Sequence, residues 1–387
     1  MRRAKTFFRI TRIATVTRIA TAVTVAMAAL AIPASADSER HPGEHRGRVF
    51  VQTDSISGNK VVAYLRAADG TLRKRGVFAT DGKGGALGGS VVDHLASQGS
   101  LTYDPRHNLL YAVNAGSNTV TMFSVDGERL HRKQVVYSGG TFPVSVTVHE
   151  DRVYVLNARK GGSIQGYRLT KDGLRRVAEW NRALRLNTAA TPEFLHTPGQ
   201  VAFTPDGSRL VVTTKMGGNS IAVFPLSPSG APAPRAVVSS KAGSAPFGLT
   251  FDRHGRLVVA DAGPNAVLTF RIEKDSDVTL LDDILTGQQA SCWVVRAGNR
   301  FYVSNAGSNT VSGFQQTRGA HLRALGNTPT GTGTVDSAVT PDNHFLYVQT
   351  GGVGAVDGFR INDDGSLTKI STTPVPDAVA GEGIVVL

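Results

Sequence analysis

The stretch Asn114-Ala-Gly-Ser-Asn-Thr-Val120 recurs as Asn305-Ala-Gly-Ser-Asn-Thr-Val311. In both copies it follows a short apolar run that opens on tyrosine, Tyr111-Ala-Val-Asn114 and Tyr302-Val-Ser-Asn305. Weaker copies of that run are Phe50-Val-Gln-Thr53, Tyr154-Val-Leu-Asn157, Val211-Val-Thr-Thr214, Val258-Val-Ala-Asp261 and Tyr347-Val-Gln-Thr350. The seven copies stand roughly 40–60 residues apart, the spacing of four-stranded propeller blades.

Working outward from each copy gives the rest of the unit. A tight turn precedes it, as in Thr204-Pro-Asp-Gly207, Asp252-Arg-His-Gly255 and Thr340-Pro-Asp-Asn343. Proline fixes φ, Asp and Asn bond their own backbone, and glycine supplies positive φ. A short apolar strand lies before that turn. An alternating strand follows the Asn-Gly segment, and a second hairpin turn such as Asp126-Gly127 or Asp172-Gly173 ends the unit. Each unit is therefore read as four antiparallel strands, with no amphipathic helix after the leader.

The ends of the chain complement each other. Phe50–Thr53 has no inner strand before it, and Gly381-Glu-Gly-Ile-Val-Val-Leu387 reads as an inner strand with no blade after it. Pairing the two closes a ring and removes two sheet edges. The expected fold is an all-β, seven-bladed β-propeller over 48–387. Six or eight blades are the alternatives, because the gap between the first two copies and an insertion near 182–197 leave slack.

Composition bounds the setting. The N-terminus carries six basic residues from Arg2 to Arg18, then the apolar run Ile19–Ile32 and the small-residue site Ala34-Ser-Ala36. This reads as a signal peptide over 1–36, followed by a polar, disordered tail over 37–47 that holds His41 and His45. Arg2-Arg3 leaves open whether export uses the general or the twin-arginine route. The mature chain is expected to be secreted or extracytoplasmic, with no membrane span. Removing the leader lowers the net charge from +12 to +6, leaving 36 basic against 30 acidic residues. Those charges are scattered over hairpins, so no nucleic-acid partner is expected. Cys292 is the only cysteine and rules out an intramolecular disulfide. It reads as a buried, inert thiol.

Candidate chemistry gathers where the turns after the seven copies and the loops between blades share one rim. The segment Asn181–Pro198 reads as longer than the other inter-blade connections and carries Arg182, Arg185, Glu193 and His196. A carboxylate and an imidazole three residues apart suit base and orienter, so Glu193 and His196 are the candidate catalytic residues. Arg159, Lys215, Asp261, His94 and Arg185 are candidate ligand-binding residues, Lys215 and Arg159 offering positive charge to an anion. The rim asparagines read as structural, since asparagine tolerates left-handed backbone and bonds its own turn. Asp81-Gly-Lys-Gly-Gly-Ala-Leu-Gly-Gly89 reads as a flexible inter-blade loop. No metal site and no cofactor are expected, and the chain lacks a nucleophile elbow, a zinc-protease motif and a phosphate loop.

The repeat Tyr-Val-x-Asn, with Pro-Asp-Gly before it and Gly-Ser-Asn-Thr-Val after it, resembles the lactonase-type seven-bladed propellers. That family includes 6-phosphogluconolactonase of the propeller kind, carboxymuconate-cyclising enzymes and the Tyr-Val-Thr-Asn repeat surface proteins. The resemblance covers Arg48–Leu387 and implies a propeller with a ligand site on the rim. The enzymes of the family resemble one another in Pro-His and Pro-Arg-His pairs that open two inner strands. Here those places read Thr197-Pro-Gly-Gln200 and Ser244-Ala-Pro-Phe-Gly248, so the usual His and Arg positions are not matched.

Two functions follow as expectations. The first is a secreted, monomeric, non-catalytic propeller that holds a small molecule, a polysaccharide or a protein on its rim. The alternative is an extracytoplasmic lactone hydrolase, or a related cyclising or lyase enzyme, acting on a small carboxylated or sugar lactone. A base of lowered pKa or an acid of raised pKa in the pocket favours the enzyme. A flat rim with His196 turned outward favours the binder.

Overall fold

The computed structural model describes residues 47–387. The signal-peptide reading, and all but the last residue of the expected tail, lie outside them. Seven four-stranded antiparallel sheets are arranged in a ring. Each uses its first strand innermost: Leu101–Asp104 in blade 2, Pro143–His149 in blade 3, Val201–Phe203 in blade 4, Pro246–Phe251 in blade 5, Ser291–Ala297 in blade 6 and Thr334–Val339 in blade 7. Blade 1 is the exception. Its inner strand is Ile384–Val386, followed outward by Gly47–Gln52, Lys60–Arg66 and Leu72–Ala79. The C-terminal strand thus pairs with the first one, Phe50 opposite Val385 and Val51 opposite Ile384, as the sequence predicts. The only helical pieces among the described residues are three short turns, Ala115–Ser117, Glu193–Leu195 and Lys215–Gly218.

The tyrosines that open the repeated run explain how the blades cohere. Tyr154, Tyr302 and Tyr347 are essentially inaccessible. Each sends its hydroxyl to a hairpin glycine of the next blade: Tyr154 to the Gly230 carbonyl at 2.6 Å, Tyr302 to Gly365 at 2.9 Å and Tyr347 to Gly70 at 2.6 Å. The last of these ties blade 7 to blade 1, a second closure independent of the C-terminal strand. Burying each ring is worth roughly 2–3 kcal/mol and each satisfied hydroxyl about 1 kcal/mol more.

The asparagine that ends the repeated run holds its own blade, and the one four residues on bonds the entry to the next, Asn118 Oδ1 accepting from Phe142 N and Asn309 Oδ1 from Gly333 N, each at 2.7 Å. Asn305 Nδ2 donates to Ser312 Oγ at 2.9 Å, and its Oδ1 accepts from Ser291 Oγ at 2.6 Å. Asn118, Asn219, Asn265 and Asn309 adopt left-handed backbone, with φ between 49° and 57°. The structural reading stands for the left-handed backbone, while the side chains bond the following blade rather than their own turn.

The glycine-rich run differs from its expectation. It is packed onto the rim: Gly84 N donates to Ser55 O, Gly116 N to Lys83 O, and Leu87 N to His94 O. A Cβ on Gly84 would lie 1.9 Å from the Asp54 carbonyl oxygen, so close backbone approach requires the glycine there.

Candidate active site under two rim loops

The segment that leads from the glycine-rich run into blade 2 turns inward and fills the mouth of the channel. Blades 2 and 6 stand across the ring from each other. Gln98, at the entry to blade 2, donates from Nε2 to Val294 O at 2.9 Å and accepts at Oε1 from Val294 N at 3.1 Å. Trp293 Nε1 donates to Ser97 O at 2.6 Å. These bonds span the channel and plug it.

Beside the plug lies a cavity of about 670 Å³ over blades 4, 5 and 6. Its walls come from the plug (Val91, Val92, Asp93, Ala96), the long connection before blade 4 (Phe194, Leu195), and the rim turns and inter-blade loops (Lys215, Met216, Phe247, Cys292, Trp293). The face is predominantly apolar. A smaller cavity of about 370 Å³ lies next to it, lined by Arg159, Lys160, Leu186, Asn187, Glu193, His196 and Thr197.

Lys215 is the unusual group of the larger cavity. It is only 1 % exposed, and its backbone sits in the left-handed region at φ 47°. A long side chain held there is strained backbone, and such strain concentrates at functional sites. Nζ donates to Ala96 O at 2.6 Å and to Thr197 Oγ1 at 3.0 Å, and lies 5.2 Å from the centre of the Phe247 ring. Burial brings its pKa down to about 7, with the charges of Asp93 and Glu193 opposing the fall. Asp93 is buried too. Its carboxylate accepts from Leu95 N at 2.8 Å and Ser97 N at 3.1 Å, yet burial still raises it to about 6. Desolvation outweighs the attraction between the two in both cases. Cys292, on the same wall, is pushed up to about 12 by burial and is held as the thiol.

Against the plug is a set of carboxyls that sequence reasoning missed as a set. Asp54, Asp336 and Glu382 are buried to 3 % exposure or less. Burial raises Asp54 to about 8 and Asp336 to about 7, and lifts Glu382 well above the usual carboxylate range, with repulsion from its acidic neighbours adding to the rise. Asp336 and Glu382 share a hydrogen bond between their side chains, so one of them carries a proton. Glu382 N donates to Asp54 Oδ2 at 2.7 Å, and Ser97 Oγ reaches Glu382 Oε2 at 3.3 Å. Among the described residues no group of three or more His, Cys, Asp or Glu side chains is arranged to hold a metal ion.

The remaining site candidates divide among these places. Arg159, Glu193 and His196 come together around the smaller cavity. Arg159 makes a two-point ion pair with Glu193 (2.7 and 3.0 Å), and Glu193 Oε2 also accepts from Gly88 N at 2.7 Å. The guanidinium holds the Glu193 carboxyl below its ordinary value, which makes it a weak base and a firm pin between the two rim loops. His196 Nδ1 lies 2.9 Å from Pro192 O. Asp261 is buried beside the larger cavity, but its carboxylate serves its own turn, accepting from Ser244 Oγ, from Ala245 N at 2.6 Å and from Gly263 N at 3.0 Å. His94 is half-buried in the plug, where burial lowers its pKa and its Nδ1 has no hydrogen-bond partner. Arg185 is exposed on the long connection.

The family model described as "Lactonase, 7-bladed beta-propeller" matches residues 76–382, and the chain belongs to that family. Among solved structures, a protein from Lactobacillus plantarum is 21% identical with a TM-score of 0.72, covering 88% of this chain and 99% of its own. A candidate 6-phosphogluconolactonase from Bacteroides fragilis is 20% identical with a TM-score of 0.70, covering 88% and 97%. The periplasmic gluconolactonase PpgL of Pseudomonas aeruginosa is 18% identical with a TM-score of 0.73, covering 88% and 99%. No curated protein matches the chain. At these identities the likeness extends to the fold.

Proposed function

We propose that this member of the lactonase propeller family is a lactone hydrolase whose chemistry takes place in the larger cavity, with Lys215 as general base. The observation that carries the reading is a buried amine at the cavity wall with a pKa of about 7. A neutral amine has two N–H groups and one lone pair. Both N–H groups have acceptors in Ala96 O and Thr197 Oγ1, which leaves the lone pair for a proton. Water attacks the ring carbonyl carbon while Lys215 Nζ takes its proton. The acyl C–O bond of the ring then breaks, and the departing ring oxygen takes a proton back. Asp93, close enough to shift Lys215 by its charge, steadies the ammonium formed in between.

This reading moves the base away from Glu193 and His196. Glu193 is engaged by Arg159 and Gly88, and we assign the pair to holding the two rim loops together. His196 remains a candidate at the smaller cavity. Disarming of the Glu193–His196 pair is also the observation that favours the second reading, a propeller that binds its ligand without turning it over.

The location we propose is extracytoplasmic. Support comes from the basic, apolar and small-residue order of the first 36 residues and from the periplasmic PpgL of similar fold. An N-terminal sequence of the exported protein starting at Asp37 is the expected result.

The functional test is ring opening of a lactone panel, measured against the spontaneous rate. The expected outcome is acceleration that rises with pH through about 7, as Lys215 loses its proton, and that disappears in Lys215→Met. A folded wild-type protein that accelerates no lactone would return the assignment to the binding propeller. Activity retained in Lys215→Met would move the base elsewhere.

A further inference from the structure

The larger cavity is a poor match for a phosphorylated or polyhydroxylated ring. Among the described residues Lys215 is its only cationic lining residue, and burial biases that residue toward the neutral amine. A phosphate dianion would meet no arginine there, and it would stand near Asp93. Hydroxyl groups fare little better, because most polar side-chain atoms of the wall are already engaged, Asn219 Oδ1 and Asn265 Nδ2 being the amide atoms left open. Ser90 Oγ donates to Leu87 O at 2.8 Å, and Asp93 accepts from Leu95 N and Ser97 N. Asn219 Nδ2 donates to Ser244 O, Ser244 Oγ to Asp261, and Asn265 Oδ1 accepts from Ser291 N at 3.2 Å. A sugar entering this site would give up its hydrogen bonds to water and find few in exchange, a cost that polar groups in apolar sites do not recover.

The rest of the wall favours carbon. Val92, Phe194, Leu195, Phe247 and Trp293 line the cavity, with the Phe247 and Trp293 rings 4.9 Å apart between centroids. Two further lining residues stand unusually far into solvent, Val91 at 81 % and Met216 at 45 % exposure. Large apolar side chains left bare at the mouth of an apolar cavity mark a binding surface rather than a solvated rim. Methionine adds a flexible contact suited to an alkyl or aryl group.

We infer that the substrate class of this site is a small lactone bearing an alkyl or aryl substituent, its ring placed at Lys215 and its substituent running along Phe194, Leu195 and Met216 toward Val91. The inference rests on the lactone-opening reading for the reacting ring. The apolar occupant itself is argued from the cavity wall alone. It departs from the expectation of a carboxylated or sugar lactone to which Lys215 or Arg159 offers positive charge.

The test uses the mature chain and γ-lactones whose side chain grows from none to six carbons, with glucono-δ-lactone and 6-phosphogluconolactone as polar comparators. Ring opening gives turnover. Binding is read separately by Trp293 fluorescence in Lys215→Met, where ligand is held without being consumed. The expected result is a KM and a dissociation constant that fall about fourfold for each added methylene. Val91→Glu, a change at an exposed position, is expected to weaken binding of the longest lactone about tenfold. Chain-length-dependent binding with no turnover of any lactone by the wild type would sink the hydrolase reading and keep the apolar occupant. Turnover of the polar lactones with no dependence on alkyl length would overturn this inference and keep the hydrolase reading.

Discussion

Replacing Asp54 by asparagine should leave the protein's stability unchanged near pH 4 and raise it progressively toward pH 8. Asp54 is fully enclosed, and burial lifts its pKa from 3.8 to about 8. The folded protein therefore holds this proton across a range in which the unfolded chain has lost it. The resulting stability is complete below pH 3.8 and lost as pH rises to about 8. Each unit of pH in that window costs about 1.4 kcal/mol, so wild type loses on the order of 4 kcal/mol between pH 5 and 8 through this one group. Asparagine has the shape of the protonated acid and does not titrate. It also suits the surroundings, because Gln52 lies against Asp54 with a buried Oε1 that lacks a partner. With the Gln52 amide turned over, that oxygen accepts the proton of Asp54, or an N–H of the asparagine amide that replaces it. The assay is denaturant unfolding of both proteins at pH 5, 6, 7 and 8, followed through the buried Trp180 and Trp293. The difference between them should widen by about 1.4 kcal/mol per pH unit. Parallel stability curves would mean that Asp54 is ionised in the folded protein, and the account of the buried carboxyls would fall with it.

Three other perturbations probe the plug, the closure and the loop pin. Gly248→Ala places a Cβ 2.0 Å from Gln98 Oε1 and 2.8 Å from Cys292 O, which expels Gln98 from its bonds to Val294. Leaving those buried groups unpaired should cost about 2–4 kcal/mol, read as a lower denaturant midpoint. Deleting Ile384–Leu387 removes the inner strand of blade 1 and its paired backbone bonds between Arg48 and Leu387, and exposes the edge at Val49–Val51. Self-association on gel filtration and a loss of cooperative unfolding are expected; a monomer of wild-type midpoint would count against closure by this strand. Glu193→Gln weakens an ion pair that is about one-third exposed on each side. It should change the midpoint by under about 1 kcal/mol while speeding protease cleavage between 186 and 192, and equal cleavage rates would show that the pin does not hold the loop.

The fold was legible because its determinants are local and repeated. Turn glycines, the left-handed asparagines and the buried tyrosines each act within one blade or on the next, so each copy reports the same physics. Closure could be read for the same reason: Gly381–Leu387 had the pattern of an inner strand and no blade of its own. The plug was not legible. Gln98 and Trp293 meet residues 196 positions away across the channel, and nothing in the period of either strand announces those bonds. The glycine-rich run was misread because glycine gives one signal for two needs, freedom of the chain and close approach of two backbones. Glu193 and His196 border the smaller cavity, but their spacing could not reveal that Arg159, from the rim turn of blade 3, engages the carboxylate.

A signal for the buried charges was nevertheless present in the repeat. The position after the repeated run is alanine in four blades (Ala115, Ala158, Ala262 and Ala306) and glycine in another (Gly351). In the two remaining blades it is Asp54 and Lys215. Both are buried, both have left-handed backbone (φ 51° and 47°), and their pKa values are shifted toward neutrality from opposite sides. Alanine at the same place shows that the blade needs no charge there to form. Burying an ionisable group costs several kcal/mol that a small apolar side chain does not, so stability cannot be the reason for either residue. A repeat that departs from its own pattern at a cost in stability points to function. Of the two departures only Lys215 borders the larger cavity, whereas Asp54 lies among the buried carboxyls Asp93, Asp336 and Glu382, whose repulsion adds to the rise. The amine is therefore the group positioned to exchange a proton with a ligand, and the acid is a group that burial holds in its protonated form at neutral pH.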